Sequence, residues 1–459
     1  MSAGKLHFLG IAGSTMAGIA QAVAGLGYEV SGTDVGAYPP ASDWLDAQGI
    51  QWWREESADH LEGVDTVIIS GGTAPDDLEL VAARVRNIPI KSYAEFIGEL
   101  VADKRQIVVA GTHGKTTTTS LIAWLLEAAG RHPDFLIGIQ PHNFDASVRL
   151  SDSPVMVLEG DEYKASAIDE RSKLSYYRPS VLVATSLELD HPDLFKSVGE
   201  IGQRLAAVAA GMSADSQLLY AADAAELSAL AAAAAGGHES YGEDGDWQAT
   251  GLRFEPTGIA FEVQHQGKHL GHFAAPLYGR HNIYNVLAAI AVAHGEGLAA
   301  AEIQDGLARF SGAARRFQVV SAPDATVTVI DDYAHHPTEI ATTIEAARLH
   351  FNRRVIAVVR PHTYSRVKEL LPQYQSAVRV ADLAFVTDIE GAREKAATPA
   401  ISGQDIIDGG GDQVVYEPDR QRLVQRLTET VRPGDIVLCM TVSGYDCLAA
   451  QLAAQLKPQ

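Results

Sequence analysis

The stretch Ala110-Gly111-Thr112-His113-Gly114-Lys115-Thr116-Thr117-Thr118-Thr119 decides how the rest of this chain is interpreted. The β-branched run Arg105–Val109 before it predicts a buried strand, and the run Ser120–Glu127 after it predicts a helix. A glycine turn between a strand and a helix points backbone N–H groups and a helix N-terminus at an anion. In this arrangement Lys115 reaches the outer phosphates of a nucleotide, and Thr116 offers its hydroxyl to Mg²⁺. We therefore predict a nucleoside triphosphate site here.

The glycine spacing of this loop is shorter than in the usual phosphate-binding motif. The usual motif has four residues between its glycines, whereas only Thr112 and His113 lie between Gly111 and Gly114. The strand–turn–helix context nevertheless favours a phosphate cradle. The alternative is an ordinary turn rich in glycine and threonine, but a Gly-Lys pair followed by four threonines has no evident packing purpose.

Length and composition are those of a globular chain with an excess of acidic residues. The 459 residues suffice for roughly two to four domains, and the contents of 46% hydrophobic and 20% charged residues are ordinary. The net charge of -22 argues against nucleic acid as a partner, because a duplex attracts basic surfaces. Cys439 and Cys447 supply neither a disulfide framework nor metal-ligand spacing, which favours a reducing compartment. We expect no signal peptide and no membrane span, and predict a cytoplasmic location.

The first hundred residues alternate between strands and helices as in a Rossmann-like unit. A strand over Leu6–Leu9 leads into a glycine turn and a helix, and the next strand ends at Asp34. The glycines Gly10, Gly13 and Gly18 do not follow the G-x-G-x-x-G spacing, which argues against a nicotinamide or flavin cofactor. Two readings stay open: a diphosphate site at the helix N-terminus with Asp34 facing a ribose or base, and a tight packing turn without ligand.

Polar or small residues follow the predicted strands at their carboxyl ends, where open α/β sheets bind ligands. In the first domain Ser70-Gly71-Gly72 lets a ligand come close. In the middle of the chain Glu159-Gly160-Asp161-Glu162 follows the strand Pro154–Leu158, and carboxylates beside a phosphate loop suit Mg²⁺. His191, next to Asp190 after the following strand, is a candidate ligand of a second metal. A solvated acidic turn and a structural histidine are the alternatives.

The chain beyond residue 200 predicts scaffold and a third module. Residues 203–236 predict two helices around a strand, and residues 247–273 alternate as in a small antiparallel sheet. Asn282 and Asn285 lie three positions apart at a predicted helix start, so both face the same way.

The segment Ala313–Phe317 predicts a hinge before the last module. Its two arginines suit a phosphate or an adenine. Further strands, at Val327–Ile330, Val355–Val359, Leu383–Asp388 and Ile436–Met440, predict another parallel sheet, with a helix that begins near Pro337.

We predict an α/β fold of three domains: a Rossmann-like domain over 1–102, a central phosphate-loop ATPase-like domain with a mostly parallel sheet over 103–314, and a Rossmann-like domain over 315–459. This order suits an enzyme that joins two substrates at the expense of ATP, by way of an acyl phosphate that an amine attacks. A nucleotide-dependent oxidoreductase would leave the phosphate loop idle. A noncatalytic nucleotide-binding scaffold would leave the carboxylate and histidine clusters unexplained.

The chain resembles the Mur ligase family over nearly all of its length, specifically the members that act on UDP-N-acetylmuramate. The motifs that carry the resemblance are Gly10-Ile11-Ala12-Gly13 with Met16 and Gly18, Gly111 to Thr118, Glu159-Gly160-Asp161-Glu162, His281-Asn282-Ile283-Tyr284-Asn285, Arg315-Arg316-Phe317 and Asp331 to Glu339. The resemblance implies that the first domain binds the UDP-sugar, the central domain binds ATP and Mg²⁺, and the third brings the amine. It also implies a monomer or weak homodimer, without nucleic acid or membrane as a partner.

The same resemblance implies roles for individual residues. The residues expected to bind ATP are Gly111, Thr112, Gly114, Lys115, Thr116, Thr117, His281, Asn282, Asn285, Arg316 and Asp331. The residues expected to contact substrates are Gly10, Gly13, Ser14, Met16, Asp34, Ser70, His113, His335, His362 and Arg366. The expected metal ligands are Thr116, Glu159 and His191. The residues expected to act in catalysis are Lys115, Glu159, His191 and His336.

The amine substrate is L-alanine in one branch of such ligases and the tripeptide L-Ala-γ-D-Glu-diaminopimelate in another. Ala37–Ser42 and Asp169–Leu174 resemble the tripeptide branch, whereas Arg360–Arg366 and Ala392–Lys395 resemble the L-alanine branch. Because the third domain should hold the amine, we favour L-alanine. Thr441–Asp446 departs from the Gly-Ala-Gly-Asp turn that is usual in that branch. Lys173 is only a remote counterpart of the carbamylated lysine of later-acting members.

Overall fold

The computed structural model describes residues 3–37, 41–190, 192, 194–391, 394, 401–408, 411–442, 445 and 447–456. Several predicted positions therefore lie outside the described residues, namely His191, residues 38–40, 392, 393 and 395, and residues 443, 444 and 446. The chain forms two compact units. The first unit comprises Met1–Leu187, Gly199–Trp247 and Ala288–Gly306, and the second comprises Glu188–Val198, Gln248–Leu287 and Leu307–Gln459.

The first unit begins with a five-stranded parallel sheet of strand order β3-β2-β1-β4-β5. Its strands and helices are β1 (Lys5–Leu9), α1 (Ser14–Gly25), β2 (Glu29–Thr33), α2 (Ala41–Ala47), β3 (Gln51–Trp53), β4 (Thr66–Ile69), α3 (Leu78–Val85), β5 (Ile90–Ser92) and α4 (Tyr93–Leu100). The Rossmann-like alternation predicted for this part is confirmed.

A buried polar network under this sheet was not predicted. Glu79, with no exposed surface, accepts a hydrogen bond from Thr33 Oγ1 at 2.9 Å and lies 2.7 Å from His60 Nδ1. His7 Nε2 lies 3.3 Å from its other carboxylate oxygen. The N–H of Ser57 also donates to Glu79, at 3.1 Å. Both carboxylate oxygens of Glu79 thus have polar partners, as burial of a charge requires.

The second sheet of the first unit carries the phosphate loop. Its order is β14-β13-β12-β6-β9-β7-β8, parallel except between β7 and β8. The elements are β6 (Arg105–Ala110), α5 (Lys115–Ala128), β7 (Asp134–Leu136), β8 (Val148–Arg149), β9 (Val155–Gly160), the pair β10 (Lys164–Ser166) and β11 (Asp169–Ser172), β12 (Pro179–Ala184), α6 (Val198–Ala210), β13 (Gln217–Ala221), α7 (Ala225–Ala233) and β14 (Gly237–Tyr241). Since β6 is central and its residues Gln106–Ala110 are buried, the start of the loop that follows it is fixed by the sheet.

The second unit contains a β-sheet layer and a second α/β layer. Its first strands are β15 (Trp247–Glu255), β16 (Gly258–His265) and β17 (Lys268–Ala275), and β16 pairs antiparallel with β17 as predicted. Helices α8 (Arg280–Gly295) and α9 (Ala300–Ala308) follow, and the boundary between the units falls inside β15, α8 and α9.

The last sheet has the order β18-β19-β23-β20-β21-β22, parallel except for β18. Its elements are β18 (Gln318–Val319), β19 (Thr328–Asp332), α10 (Pro337–Phe351), β20 (Val355–Val359), α11 (Tyr364–Glu369), α12 (Leu371–Val378), β21 (Leu383–Val386), α13 (Gly403–Ile407), β22 (Val414–Tyr416), α14 (Arg420–Thr430), β23 (Ile436–Met440) and α15 (Leu448–Gln455). Two hydrophobic clusters pack on this sheet, as in a doubly wound fold. The predicted α/β class with mostly parallel sheets is confirmed.

Within the described part of the chain, no helix combines the length and the apolar character needed to cross a bilayer.

Candidate active site

The phosphate loop depends on glycine at two positions. Gly111 has φ 129° and Gly114 has φ 81°, a region that glycine enters without strain. A Cβ on Gly111 would lie 2.5 Å from Thr185 Oγ1 and 2.7 Å from the carbonyl oxygen of Ser186, so a side chain would also collide with the end of β12. Gly114 caps α5 without a side-chain hydrogen bond. The first N–H groups of α5 are thus left without a side-chain cap, as an anion site requires.

The turn is held by the two residues that follow β12. Ser186 Oγ accepts from the N–H of His113 at 2.8 Å, and Thr185 Oγ1 donates to the carbonyl of His113 at 2.5 Å. The N–H of Thr112 donates to the carbonyl of Ser186 at 3.1 Å. The sequence did not single out Thr185 and Ser186, and their place directly after the apolar run Val181–Ala184 was the one available signal.

Lys115 and Thr116 face the carboxylates that follow β9. Lys115 Nζ donates to the carbonyl of Gly111 at 2.5 Å and forms an ion pair with Glu162 Oε2 at 3.2 Å. Thr116 Oγ1 donates to Glu159 Oε1 at 2.7 Å. The parallel pairing of β6 with β9 brings the two strand ends together, because it sets Ala110 opposite Gly160. Thr117 follows on the first turn of α5.

Three acidic residues, which we call the carboxylate cluster, follow or end β9: Glu159, Asp161 and Glu162. Burial raises the pKa of Glu159, and the charge of Asp161 raises it further. Burial alone would raise the pKa of Asp161 as well, but the positive charges of Lys173 and Lys115 lower it. The pKa values of Glu159 and Asp161 therefore shift in opposite directions, and the cluster is not a uniform acidic turn.

The oxygen donors at this point fit a magnesium ion. The hydroxyl of Thr116 and the carboxylate of Glu159 lie 2.7 Å apart at the mouth of the phosphate loop. Both are hard oxygen ligands, which Mg²⁺ prefers when it also holds phosphate oxygens. The other Glu159 oxygen accepts from the N–H of Gly138 at 2.8 Å, which fixes the carboxylate plane.

The glycine turn of the first sheet is built in a related way. Gly13 caps α1 without a side-chain hydrogen bond, so this helix N-terminus also lacks a side-chain cap. Asp34 accepts the N–H of Ala12 and the N–H of Gly36, each at 3.0 Å, and so supports the turn. Gly10 has φ 79°, and a Cβ there would lie 2.9 Å from Ser70 Oγ.

The two predicted sites of the first unit are connected through one residue, Gly138. Ser14 Oγ donates to the carbonyl of Gly138 at 3.4 Å, while the N–H of the same glycine donates to Glu159. Met16, two positions further along α1, is 3% exposed and packs in the core. The N-terminus of α1 and the carboxylate cluster thus lie on either side of Gly138.

In the second unit, the start of α8 has the predicted geometry. Asn285 Nδ2 donates to Asn282 Oδ1 at 2.9 Å, which confirms that both side chains face the same way. Asn282 Nδ2 donates to the carbonyl of Tyr278 at 2.8 Å and lies 3.1 Å from His281 Nε2.

Asp332 organises the segment that precedes β18. Its carboxylate accepts the N–H of Phe317 at 2.7 Å and the N–H of Ala334 at 2.6 Å. Burial raises the pKa of Asp332 to about 6, against the opposing charge of Arg316. Arg315 has φ 56° and Phe317 has φ 50°, so the turn holds two residues in the left-handed region.

Two residues that the resemblance predicts to bind ATP, Arg316 and Asp331, lie close to this turn. Arg315 Nε lies 3.3 Å from Asp331 Oδ2, as an ion pair on β19. The guanidinium carbon of Arg316 lies 5.9 Å from the centre of the Tyr333 ring.

The predicted substrate residues of the last sheet are mostly engaged with one another. His336 is the N-cap of α10, since its ring accepts the N–H of Thr338, and it completes a capping box with Glu339. The rings of His335 and His362 meet edge to face with centroids 5.4 Å apart, and burial lowers the pKa of His335.

Arg366 has no exposed surface, and its guanidinium binds Asp190 at 2.8 Å through Nε and 2.5 Å through a terminal nitrogen. A terminal nitrogen also donates to the carbonyl of His362. This arrangement positions His362 through the arginine, so a direct substrate contact of Arg366 stays a prediction.

In chain order, a Rossmann-like sheet is followed by a mostly parallel sheet with a phosphate loop and then by a further α/β sheet. Three family models match successive parts: the Mur ligase family catalytic domain over residues 5–105, the Mur ligase middle domain over 109–293, and the Mur ligase glutamate ligase domain over 315–441. The chain belongs to the Mur ligase family, which confirms the resemblance and the three-module organisation. The boundaries after residues 102 and 314 stay a prediction.

Individual relatives show which ligases of this family the chain is similar to. The UDP-N-acetylmuramate–L-alanine ligase of Caldanaerobacter subterraneus subsp. tengcongensis is 35% identical over 441 residues, which cover 95% of this chain and 94% of the relative. The crystal structure of the UDP-N-acetylmuramate-alanine ligase MurC from Thermotoga maritima superposes with a TM-score of 0.82 at 23% identity, covering 98% of this chain and 99% of that one. The UDP-N-acetylmuramate:L-alanyl-gamma-D-glutamyl-meso-diaminopimelate ligase from Neisseria meningitides gives a TM-score of 0.64 at 33% identity, covering 68% and 99%.

Proposed function

We propose that this protein is an ATP-dependent ligase that joins L-alanine to the lactyl carboxylate of UDP-N-acetylmuramate in peptidoglycan synthesis. The observation that carries the proposal is the path from Ser14 through Gly138 to Glu159 and Thr116, which links the predicted UDP-sugar site to the phosphate loop. The full-length similarity to an L-alanine ligase at 35% identity supports the choice of amine. We further propose a cytoplasmic monomer or weak homodimer.

The proposed chemistry has two steps. A carboxylate oxygen of the UDP-sugar attacks the terminal phosphorus of ATP, the bond to ADP breaks, and an acyl phosphate forms. The amine nitrogen then attacks the acyl carbon, phosphate leaves, and the nitrogen loses a proton as the amide forms. Such reactions depend mainly on positioning and on neutralisation of phosphate charge.

The residues of the first unit would act as follows. The N–H groups at the start of α5, which has no side-chain cap, would cradle the phosphates, and Lys115 would turn from Glu162 to the outer phosphates. Thr116 and Glu159 would hold Mg²⁺, which neutralises phosphate charge when bound. His191 as a further metal ligand, and the nucleotide and amine contacts assigned to the second unit, stay predictions.

One observation favours the tripeptide L-Ala-γ-D-Glu-diaminopimelate as an alternative amine substrate. The tripeptide ligase from Neisseria meningitides is 33% identical over the 68% of this chain that it covers. The segment Asp169–Leu174, which forms β11 and the start of a short 3-10 helix, also resembles that branch. The alternative product is therefore UDP-N-acetylmuramate joined to L-Ala-γ-D-Glu-diaminopimelate.

Phosphate release separates these functions. The protein is incubated with ATP, Mg²⁺ and UDP-N-acetylmuramate, with either L-alanine or the tripeptide as amine. We expect turnover with L-alanine; turnover with the tripeptide alone would select the alternative, and turnover with neither would contradict the ligase function. Lys115→Ala should abolish turnover yet leave UDP-sugar binding intact, and an active Lys115→Ala variant would refute the phosphate role of this lysine.

A further inference from the structure

Lys173 is a buried lysine beside the candidate active site to which the proposed chemistry assigns no task. Only 6% of the residue is exposed. Its Nζ donates to Asp161 Oδ2 at 3.0 Å. The same nitrogen lies 4.0 Å from the ring centre of Tyr163 and 4.8 Å from that of Tyr93. Its own N–H donates to the carbonyl of Tyr163 at 3.0 Å, so the backbone is fixed as well.

The groups around Lys173 Nζ favour a positive charge on this side chain. The faces of aromatic rings are negative, and a carboxylate occupies the remaining side, so the cage of Asp161, Tyr163 and Tyr93 attracts a cation. A carbamate on Lys173 would set a second anion against Asp161 and against both ring faces. The cage therefore fits an ammonium group and not the carbamylated lysine of other family members.

The side chain of Lys173 lies beside residues of the first sheet. A Cβ built on Gly71, in the loop after β4, would lie 4.0 Å from Lys173 Cε. Tyr93 is the first residue of α4, which follows β5. The lysine therefore lies where small residues of the predicted UDP-sugar site approach the carboxylate cluster, and it has little freedom to leave Asp161.

The carboxylate cluster is unevenly neutralised. Lys115 pairs with Glu162 at 3.2 Å, and Lys173 pairs with Asp161 at 3.0 Å. Among the residues that the structure describes, Glu159 makes no ion pair within 4.0 Å; its partners are the hydroxyl of Thr116 and the N–H of Gly138. Of the three carboxylates, Glu159 is thus the one left to a cation that arrives with the nucleotide.

We propose that Lys173 is a positioning residue that holds Asp161 permanently neutralised, so that Asp161 does not compete with Glu159 for the metal at the phosphate loop. The inference rests on the ATP site of the proposed function and extends it to a residue that does not touch the nucleotide. Without the lysine, Asp161 would stand as an unpaired negative charge beside the phosphates and would compete with Glu159 for the metal.

The test measures the affinity for a non-hydrolysable ATP analogue with Mg²⁺ by calorimetry, together with the melting temperature of each variant. Mg²⁺–ATP carries net negative charge, so Lys173→Met should weaken binding about tenfold or more, whereas Lys173→Arg should stay within about threefold of the wild type. The double variant Lys173→Met/Asp161→Asn removes both charges and should recover most of the affinity.

The matched control is Lys104→Met. Lys104 forms an ion pair with the buried Asp134 at 2.6 Å in the same unit, but before β6 and so away from the strand ends that carry the loop. We expect this variant to melt at a lower temperature and to bind the nucleotide as the wild type does.

Two results would overturn the proposal. One is a Lys173→Met variant that melts early, as Lys104→Met does, yet binds the nucleotide within about twofold of the wild type. The other is a carbamate at Lys173 detected by carbon NMR of protein in labelled bicarbonate. Nucleotide binding is measured without turnover. A wild type that ligates neither amine would therefore refute the proposed function, while the affinities of wild type and Lys173 variants could still be compared.

Discussion

Asp332→Asn is expected to change how the stability of the protein depends on pH. Asp332 is 5% exposed and accepts two backbone N–H groups, from Phe317 and Ala334. Its pKa rises from the ordinary 3.8 to about 6, mainly because of burial. Asparagine keeps the size of the side chain but offers one acceptor oxygen, so one of the two N–H groups loses its partner.

The expected magnitude follows from that shift. Below pH 3.8 the carboxyl is neutral in the folded and the unfolded chain, and its full contribution to stability is present. As the pH rises through the folded pKa of about 6, the folded protein must ionise a buried acid, and that contribution is lost. A shift of this size corresponds to about 3 kcal/mol in the free energy of unfolding. The variant carries no such dependence.

Urea unfolding of both proteins between about pH 4 and pH 7 measures this difference, because the other titrating groups cancel in the comparison. Over this range the wild type should lose about 2.5 kcal/mol relative to Asp332→Asn, because part of the total loss already occurs below pH 4. Val329→Ala, an uncharged change at a fully buried position of the same strand, should differ from the wild type by a constant amount. A constant difference for Asp332→Asn too, or one that grows in favour of the wild type as the pH rises, would refute the reasoning.

Three further changes test other parts of the structure. Gly111→Ala should weaken nucleotide binding by about tenfold or more, because the loop has φ 129° there and a Cβ would lie 2.5 Å from Thr185; calorimetry that finds unchanged affinity would contradict this. Arg366→Met should lower the free energy of unfolding by about 3–5 kcal/mol, since it strands the charge of Asp190, and adding Asp190→Asn should restore part of the loss in the same urea assay. Glu79→Gln should abolish a loss of stability on acidification. Burial raises the pKa of Glu79, but hydrogen bonds from His7, Ser57 and His60 lower it overall. The contribution of Glu79 to folding stability is therefore present above pH 4.5 and is lost as the pH falls through the folded pKa. If the melting temperatures of wild type and variant fall in parallel as the pH is lowered below 4.5, the Glu79 prediction is wrong.

Local signals were enough to predict the framework of the site. The strand before Gly111, the turn itself and the helix start at Pro337 lie where the sequence predicted them, because each depends on neighbouring residues. The helix after the loop was predicted from Ser120, but α5 begins at Lys115. Threonines have low intrinsic helix propensity, and here the geometry of the loop and burial against the sheet override it.

The side-chain pairs could not be predicted in the same way. Lys173 and Asp161 are 12 positions apart, Glu79 and His7 are 72 apart, and Arg366 and Asp190 are 176 apart. Which acid meets which base at such separations depends on strand order and crossover geometry, and a single sequence does not state these. The carboxylate cluster shows the consequence, since its three acids looked equivalent in the sequence although each has a different partner.

The lone negative charge of Glu159 bears on the search for inhibitors of this protein. A compound that imitates only adenine and ribose gains nothing from this carboxylate, and one with an acidic group in place of the triphosphate is repelled by it. Chemical libraries screened without a divalent ion would therefore be biased toward amines that satisfy Glu159 directly. A screen with Mg²⁺ in the buffer would instead reward chelating acids, so the two hit lists should differ in the sign of their charge.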